Sequence, residues 1–160
     1  MACFDAAAHG ADVYGELICD GLHISPEMIR LAYAMLGCDH TVLITDSMEG
    51  AGCPDGTYAI AGQRVTLKDG KALTADGALA GSTLGLWDAV CNLSAFCHVP
   101  LAEALVCATR NPARLAGIDR AVGSLEVGHL ADFIVIDEQT DRPVLRDVYL
   151  GGIRQNGIVG

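Results

Sequence analysis

Positive charge is scarce in this chain. Ten Lys and Arg stand against twenty Asp and Glu, a formal net charge of −10 over 160 residues. No basic cluster occurs, which argues against nucleic acid as a partner; a small anionic substrate needs only a local site. Long apolar runs are missing too. None approaches the ~20 residues that span a bilayer, and the N-terminus lacks the basic and apolar segments of a signal peptide. No membrane partner and a soluble, cytoplasmic protein are expected. CxxC is absent, and the cysteines are odd in number: Cys3, Cys19, Cys38, Cys53, Cys91, Cys97 and Cys107. Several, such as Cys19 and Cys107, lie on apolar stretches, so buried reduced thiols are expected rather than a disulfide framework. GxxxxGK[ST] and GxSxG do not occur, which excludes a P-loop and a nucleophile elbow. His9, His40, His98 and His129 are scattered without HxH or HExxH spacing, so no metal site can be assembled from them.

What is present is enough for one domain with a real core: 51% of residues are hydrophobic and 19% charged. Residues 2–9, ACFDAAAH, read as the end of a helix. Residues 13–19 read as a strand closing on Asp20-Gly21-Leu22-His23. Ser25-Pro26-Glu27 is a helix start, with a Ser cap, Pro at the first position and an acid in the first turn. Met28, Leu31, Ala32, Met35 and Leu36 follow at helical spacing, and Gly37 closes the helix. A strand over 41–45 comes next. Two strands joined by such a crossover helix lie parallel, and ligands bind at their carboxyl ends. Residues 57–76 alternate like short strands, with Asp69-Gly70 as a hairpin signal. The glycine-rich stretch 77–85 leads into a helix over about 83–97, with Leu84, Trp87, Val90 and Cys91 on one face. Pro100 opens a second helix, and Asn111-Pro112 caps a third that ends at Gly117. Strands over 132–137 and 145–150 close the chain and need partners, since an isolated pair is marginal.

Three places carry candidate chemistry. Asp46 ends the β-branched run TVLIT and opens the loop DSMEGAGCPDG. A carboxylate there can take a proton from water and pass it to a leaving group; a surface turn acid is the plainer alternative. The loop after it, with Gly50, Gly52, Pro54 and Gly56, reads as mobile cover. His23 closes the neighbouring strand and can serve as ligand, donor or cap. Leu79-Ala80-Gly81-Ser82-Thr83 precedes a helix, so its amides can receive an anion; a Ser82 or Thr83 cap is the simpler reading.

The segments CDGLHISPEMIRLA, LITDSMEGAGCPDGTY, LAGSTLGLWDAV, ALVCATRNPARLAGI, VGSLEVGHLADFIVID and VYLGGIRQ, in this order from about residue 12 to 155, resemble the N-acetylglucosamine-6-phosphate deacetylases. NPARLAGI and GSLEVGHLADFIVID look like metal-dependent amidohydrolases in general; DGLH, TDSM and AGSTL point to the deacetylase branch. The resemblance implies an α/β fold: the last part of a TIM barrel over 1–121, with a small β insertion near 57–76, and part of a β-sandwich over 122–160. Residues 13–19 and 41–45 would be like the seventh and eighth barrel strands.

It implies Asp46 as the catalytic acid–base residue acting on a metal-bound water. Asp20, Gly21, Leu22 and His23 would contact the substrate near its phosphate, and Leu79, Ala80 and Gly81 would lie over the sugar. The implied partners are a phosphorylated amino sugar and a second copy in a dimer. The implied cofactor is a divalent metal, zinc or iron, whose ligands in the family lie upstream of residue 1. A C-terminal portion, inactive alone and exposing apolar edges, is therefore expected. A dihydroorotase-like cyclic amidase, and a non-catalytic remnant serving as an interaction module, are the alternatives.

Overall fold

A computed structural model of the chain describes residues 13–138 and 142–157. The segment 2–9, with Cys3 and His9, lies outside the described residues.

The first unit is strand, helix, strand. β1 (Gly15–Ile18) and β2 (Thr41–Ile44) pair in parallel, with Gly15 opposite Thr41 and Ile18 opposite Ile44. Between them α1 (Pro26–Leu36) starts as its sequence predicts: Ser25 Oγ accepts from the Met28 amide, and Gly37 ends the helix at φ 72°. The buried face is rotated from the expected one: Leu36 is buried and Ala32 packs on the core as expected, but the rest of the stripe is not. Ile29, Tyr33 and Leu36 face inward, while Met28, Leu31 and Met35 are about half exposed, at 51%, 53% and 47%. Both stripes satisfy helical spacing; the side on which β1, β2 and the later helices pack decides between them. His40 sits in a short 3₁₀ turn (Cys38–His40), and its Nδ1 lies 2.9 Å from the Val13 carbonyl.

The excursion expected over 57–76 is a four-stranded antiparallel meander. Its strands are β3 (Gly56–Ile60), β4 (Gln63–Lys68), β5 (Lys71–Thr74) and β6 (Leu79–Gly81). Asp69-Gly70 makes the β4–β5 turn with φ 50° and 71°, both positive as a type I′ turn requires. Val65, Leu67 and Ala72 form a small core of their own, on which Met48, Tyr58, Ile60 and Ala80 pack.

Three helices follow: α2 (Leu86–Cys97), α3 (Leu101–Val106) and α4 (Arg110–Leu115). α2 begins at Leu86 behind Gly85, three residues later than expected, because 79–81 is drawn into the meander by pairing with β5. Its buried residues are Ala89, Val90, Cys91 and Leu93. With Leu17, Cys19, Ile29, Tyr33, Leu43, Ala104 and Cys107 most of these make the main core. The Leu43 amide donates to the Cys107 carbonyl at 2.8 Å, so the connection after α3 ties directly to β2.

Asn111 is not the cap that the Asn-Pro pattern predicts. It lies inside α4, fully buried, and its Nδ2 donates to the carbonyls of Cys38 (2.6 Å) and Thr41 (2.7 Å), holding the entry to β2. Gly117 follows the helix at φ 70° as expected.

The last sheet pairs β7 (Phe133–Asp137), β8 (Val144–Leu150) and β9 (Ile153–Arg154) antiparallel, the final turn being Gly151-Gly152. No residue of these strands is buried. An apolar hollow of about 520 Å³ opens beside β7 and β8, lined by Leu105, Phe133, Ile134, Ile136, Val148 and Leu150 among others. No helix among the described residues is long and apolar enough to cross a membrane.

Candidate active site

Two carboxylates mark the carboxyl edge of the parallel pair. Ile18 stands opposite Ile44, and Asp20 and Asp46 each follow two residues later. Parallel register therefore brings both acids to one edge.

Asp20 is the better held. Its Oδ1 accepts from the amides of Leu22 (2.8 Å) and His23 (3.0 Å), and its Oδ2 lies 2.6 Å from His23 Nδ1. This closes the loop into a tight turn in which the His23 ring is oriented by its Nδ1, leaving Nε2 for a ligand. Gly21 makes the turn possible at φ 72°, where a Cβ would also crowd the Phe96 ring at 3.3 Å. Burial is the largest single influence on Asp20 and pushes its carboxyl up. The hydrogen bonds from Leu22 and His23 together outweigh it, so the group sits below the ordinary carboxylate range. Burial, then Cys97 and Asp20, push the adjoining Cys19 thiol up to about 12, which makes it no nucleophile at neutral pH.

Asp46 is exposed and takes a left-handed backbone, φ 47°. The chain after it is tied down. Ser47 pairs with Ser82 in a parallel bridge and donates from Oγ to the Leu84 carbonyl at 2.8 Å. The Met48 amide donates to the Ser82 carbonyl at 2.9 Å. Gly50 is buried against Ile60 and Leu67. The loop expected as mobile cover is thus fastened at its start to the meander and to the approach to α2. The same contacts correct the reading of 79–83 as a helix N-terminus open to an anion. Ser82 is buried and accepts from the Leu84 amide, Thr83 Oγ1 donates to the Gly70 carbonyl, and neither caps α2.

A polar cleft of about 430 Å³ lies between the Asp20 turn, the meander and α2. Four of the expected site residues line it: Asp20, Leu22, Leu79 and Gly81. Gly21, His23 and Ala80 adjoin them in the chain without lining the cleft, and Asp46 is not in its wall. Residues that sequence reasoning missed complete it, among them Lys71, Asp88, Asn92 and Arg142. Arg142 pairs with Asp88 at 2.6 Å. Asn92 Nδ2 donates to the Cys19 carbonyl at 2.9 Å and so fixes the turn's entry from α2. An amide among Ala89, Val90, Cys91 and Leu93 was the one signal in the sequence for that role.

Among the described residues, no three His, Cys, Asp or Glu side chains stand close enough together to hold a metal ion. The residues present therefore do not fit the metal that the resemblance implies, and no chemical step here runs through one.

A family model described as "Amidohydrolase family" matches residues 6–156. Over 122 residues the chain is 42% identical to a putative N-acetylgalactosamine-6-phosphate deacetylase of Escherichia coli K12, covering 76% of this chain and 72% of that protein. It is 40% identical over 121 residues to the N-acetylglucosamine-6-phosphate deacetylase of Vibrio furnissii, covering 76% of this chain but 30% of the relative. The crystal structure of the N-acetylglucosamine-6-phosphate deacetylase of Thermotoga maritima is similar at a TM-score of 0.80 and 35% identity, over 93% of this chain and 40% of that one. The chain thus spans a third or so of the Vibrio and Thermotoga proteins. The family match runs over nearly the whole chain, and the chain belongs to the amidohydrolase family.

Proposed function

We propose that this chain supplies part of the active site of a deacetylase acting on an N-acetylhexosamine 6-phosphate, releasing acetate and the free amino sugar phosphate. The observation that carries the reading is the cleft that gathers Asp20, Leu22, Leu79 and Gly81, together with the parallel register that sets Asp46 at the same strand edge as Asp20. Amide hydrolysis moves one proton from the attacking water to the departing nitrogen. Asp46, held at the strand end with its backbone fixed by Ser47 and Met48, is the group for both halves of that transfer. In this reading the imidazole oriented by the Asp20–His23 contact serves the phosphate end, and β6 is the strand that covers the sugar.

In this reading residues 1–121 belong to the barrel and 122–160 to the β-sandwich. The substrate class is a hexosamine 6-phosphate, with glucosamine favoured by the resemblance of DGLH, TDSM and AGSTL. The galactosamine-named relatives make the C4 epimer the natural comparison. A sugar phosphate does not cross bilayers, so the work is cytoplasmic, and the implied assembly is a dimer.

The test is a deacetylase assay on the purified chain with added zinc or iron, against N-acetylglucosamine and N-acetylgalactosamine 6-phosphates. Because the described residues hold no metal trio, the chain alone is expected to be inactive. Turnover that disappears in Asp46→Asn would overturn the inactivity and confirm the acid–base role together. Binding of neither amino sugar phosphate would sink the substrate assignment.

A further inference from the structure

The chain has two lysines, Lys68 and Lys71. The meander places them opposite each other across the Asp69-Gly70 turn. Directly opposed residues on an antiparallel pair share a face, and like charges there destabilise the hairpin. Neither lysine forms an ion pair among the described residues. The hairpin tip that carries them is held at two points: Thr83 Oγ1 donates to the Gly70 carbonyl at 2.6 Å, and the Asp69 amide donates to Asp55 Oδ2 at 3.3 Å. Asp55 lines the small hollow at this tip with both exposed lysines, yet neither it nor Asp69 forms an ion pair with them, so the two ammonium groups stand side by side open to solvent.

Lys71 lines the cleft with Asp20, Leu22, Leu79 and Gly81, and also the smaller hollow of about 150 Å³ next to it, which Lys68 shares. Of the other charges in the cleft, Asp20 is engaged by His23 and Asp88 by Arg142, which leaves Asp69 to set against Lys71.

We propose that Lys71 is a specificity residue for the phosphate monoester of the substrate: the meander brings its ammonium to the cleft as a charge partner for the dianion, with Lys68 reinforcing the field. This rests on the hexosamine 6-phosphate reading above and adds a contact from the β insertion to it.

The test is calorimetric titration of the full chain with glucosamine 6-phosphate, galactosamine 6-phosphate and unphosphorylated glucosamine. A charge-assisted hydrogen bond contributes enough that Lys71→Met is expected to weaken both phosphates about tenfold. It should leave glucosamine unchanged, and Lys71→Arg should recover most of the loss. Lys68→Met should weaken the phosphates by a smaller factor. Arg64→Met removes the same charge from an exposed position on the same strand and should change nothing; circular dichroism checks each variant for folding. If Lys71→Met and Arg64→Met bind the phosphates alike, the proposal is wrong while the substrate reading stands. If the wild-type chain binds none of the three sugars, the substrate reading fails and this inference fails with it.

Discussion

The two ends of the described chain are built from similar apolar strands and finish in opposite states. β1 and β2 are covered by α1, α2 and α3, and their residues Leu17 and Leu43 are buried in the main core. β7, β8 and β9 have comparable sequences, FIVID and VLRDVYL, yet none of their residues is buried. Leu125 and Val127, on the approach to β7, are 77% and 107% exposed. Strand sequence alone does not decide burial. A crossover helix brings its own cover, and an antiparallel hairpin brings none.

The comparison breaks most readily at the core. Leu93 is fully buried in α2 among residues from both strands, so Leu93→Ala should cost about 3 kcal/mol in urea unfolding. Ile134→Ala, on the open sheet at 38% exposed, should cost well under ~1 kcal/mol. Equal losses would mean that the last sheet is covered after all.

A second, smaller effect belongs to the stitch between α4 and β2. Asn111→Ala removes the two hydrogen bonds donated to the Cys38 and Thr41 carbonyls from a fully buried position, a loss of about 2 kcal/mol. Asn111→Asp keeps the shape but not the donor and should cost at least as much; a milder Asp variant would show that packing, not donation, matters there.

The smallest effect sharpens the site itself. The Asp20 carboxyl is lower in the fold than its unfolded value of about 3.9, so folding favours its ionised form. That stability is present above the unfolded value and is lost as pH falls through the folded one. Asp20→Asn should therefore destabilise the chain at pH 7 and converge on the wild type in strong acid, as followed by thermal melts across pH 2 to 7 (a window of roughly the carboxylate range).

Much of the first half was legible because its signals are local. Ser25-Pro26-Glu27 begins a helix, Gly37 ends one, and Asp69-Gly70 turns a hairpin with no help from distant residues. What the sequence hid depends on partners far along the chain. Met28, Leu31 and Met35 fit helical spacing with Leu36 as well as Ile29 and Tyr33 do, and only packing against β1, β2 and the later helices chooses between them. Residues 79–81 become a strand because β5 is there to pair with. Asn111-Pro112 looks like a cap until Cys38 and Thr41, some seventy residues earlier, claim the side chain. The site divides the same way. The Asp20 turn announces itself in DGLH, whereas Lys71 and Asn92 reach the cleft through sheet and helix packing.

Asp46 carries a consequence for any attempt to silence it. Its φ of 47° lies where most side chains are strained, and Asn is among the few that accept it as Asp does. Replacing Asp46 with Asn removes the charge and keeps the peptide path into Ser47 and Met48. Replacing it with Ala or Val also loads the backbone at the point where the meander is fastened. A loss of function in those variants would mix chemistry with geometry, so the conformation of one residue determines which substitution tests the proposed proton transfer alone.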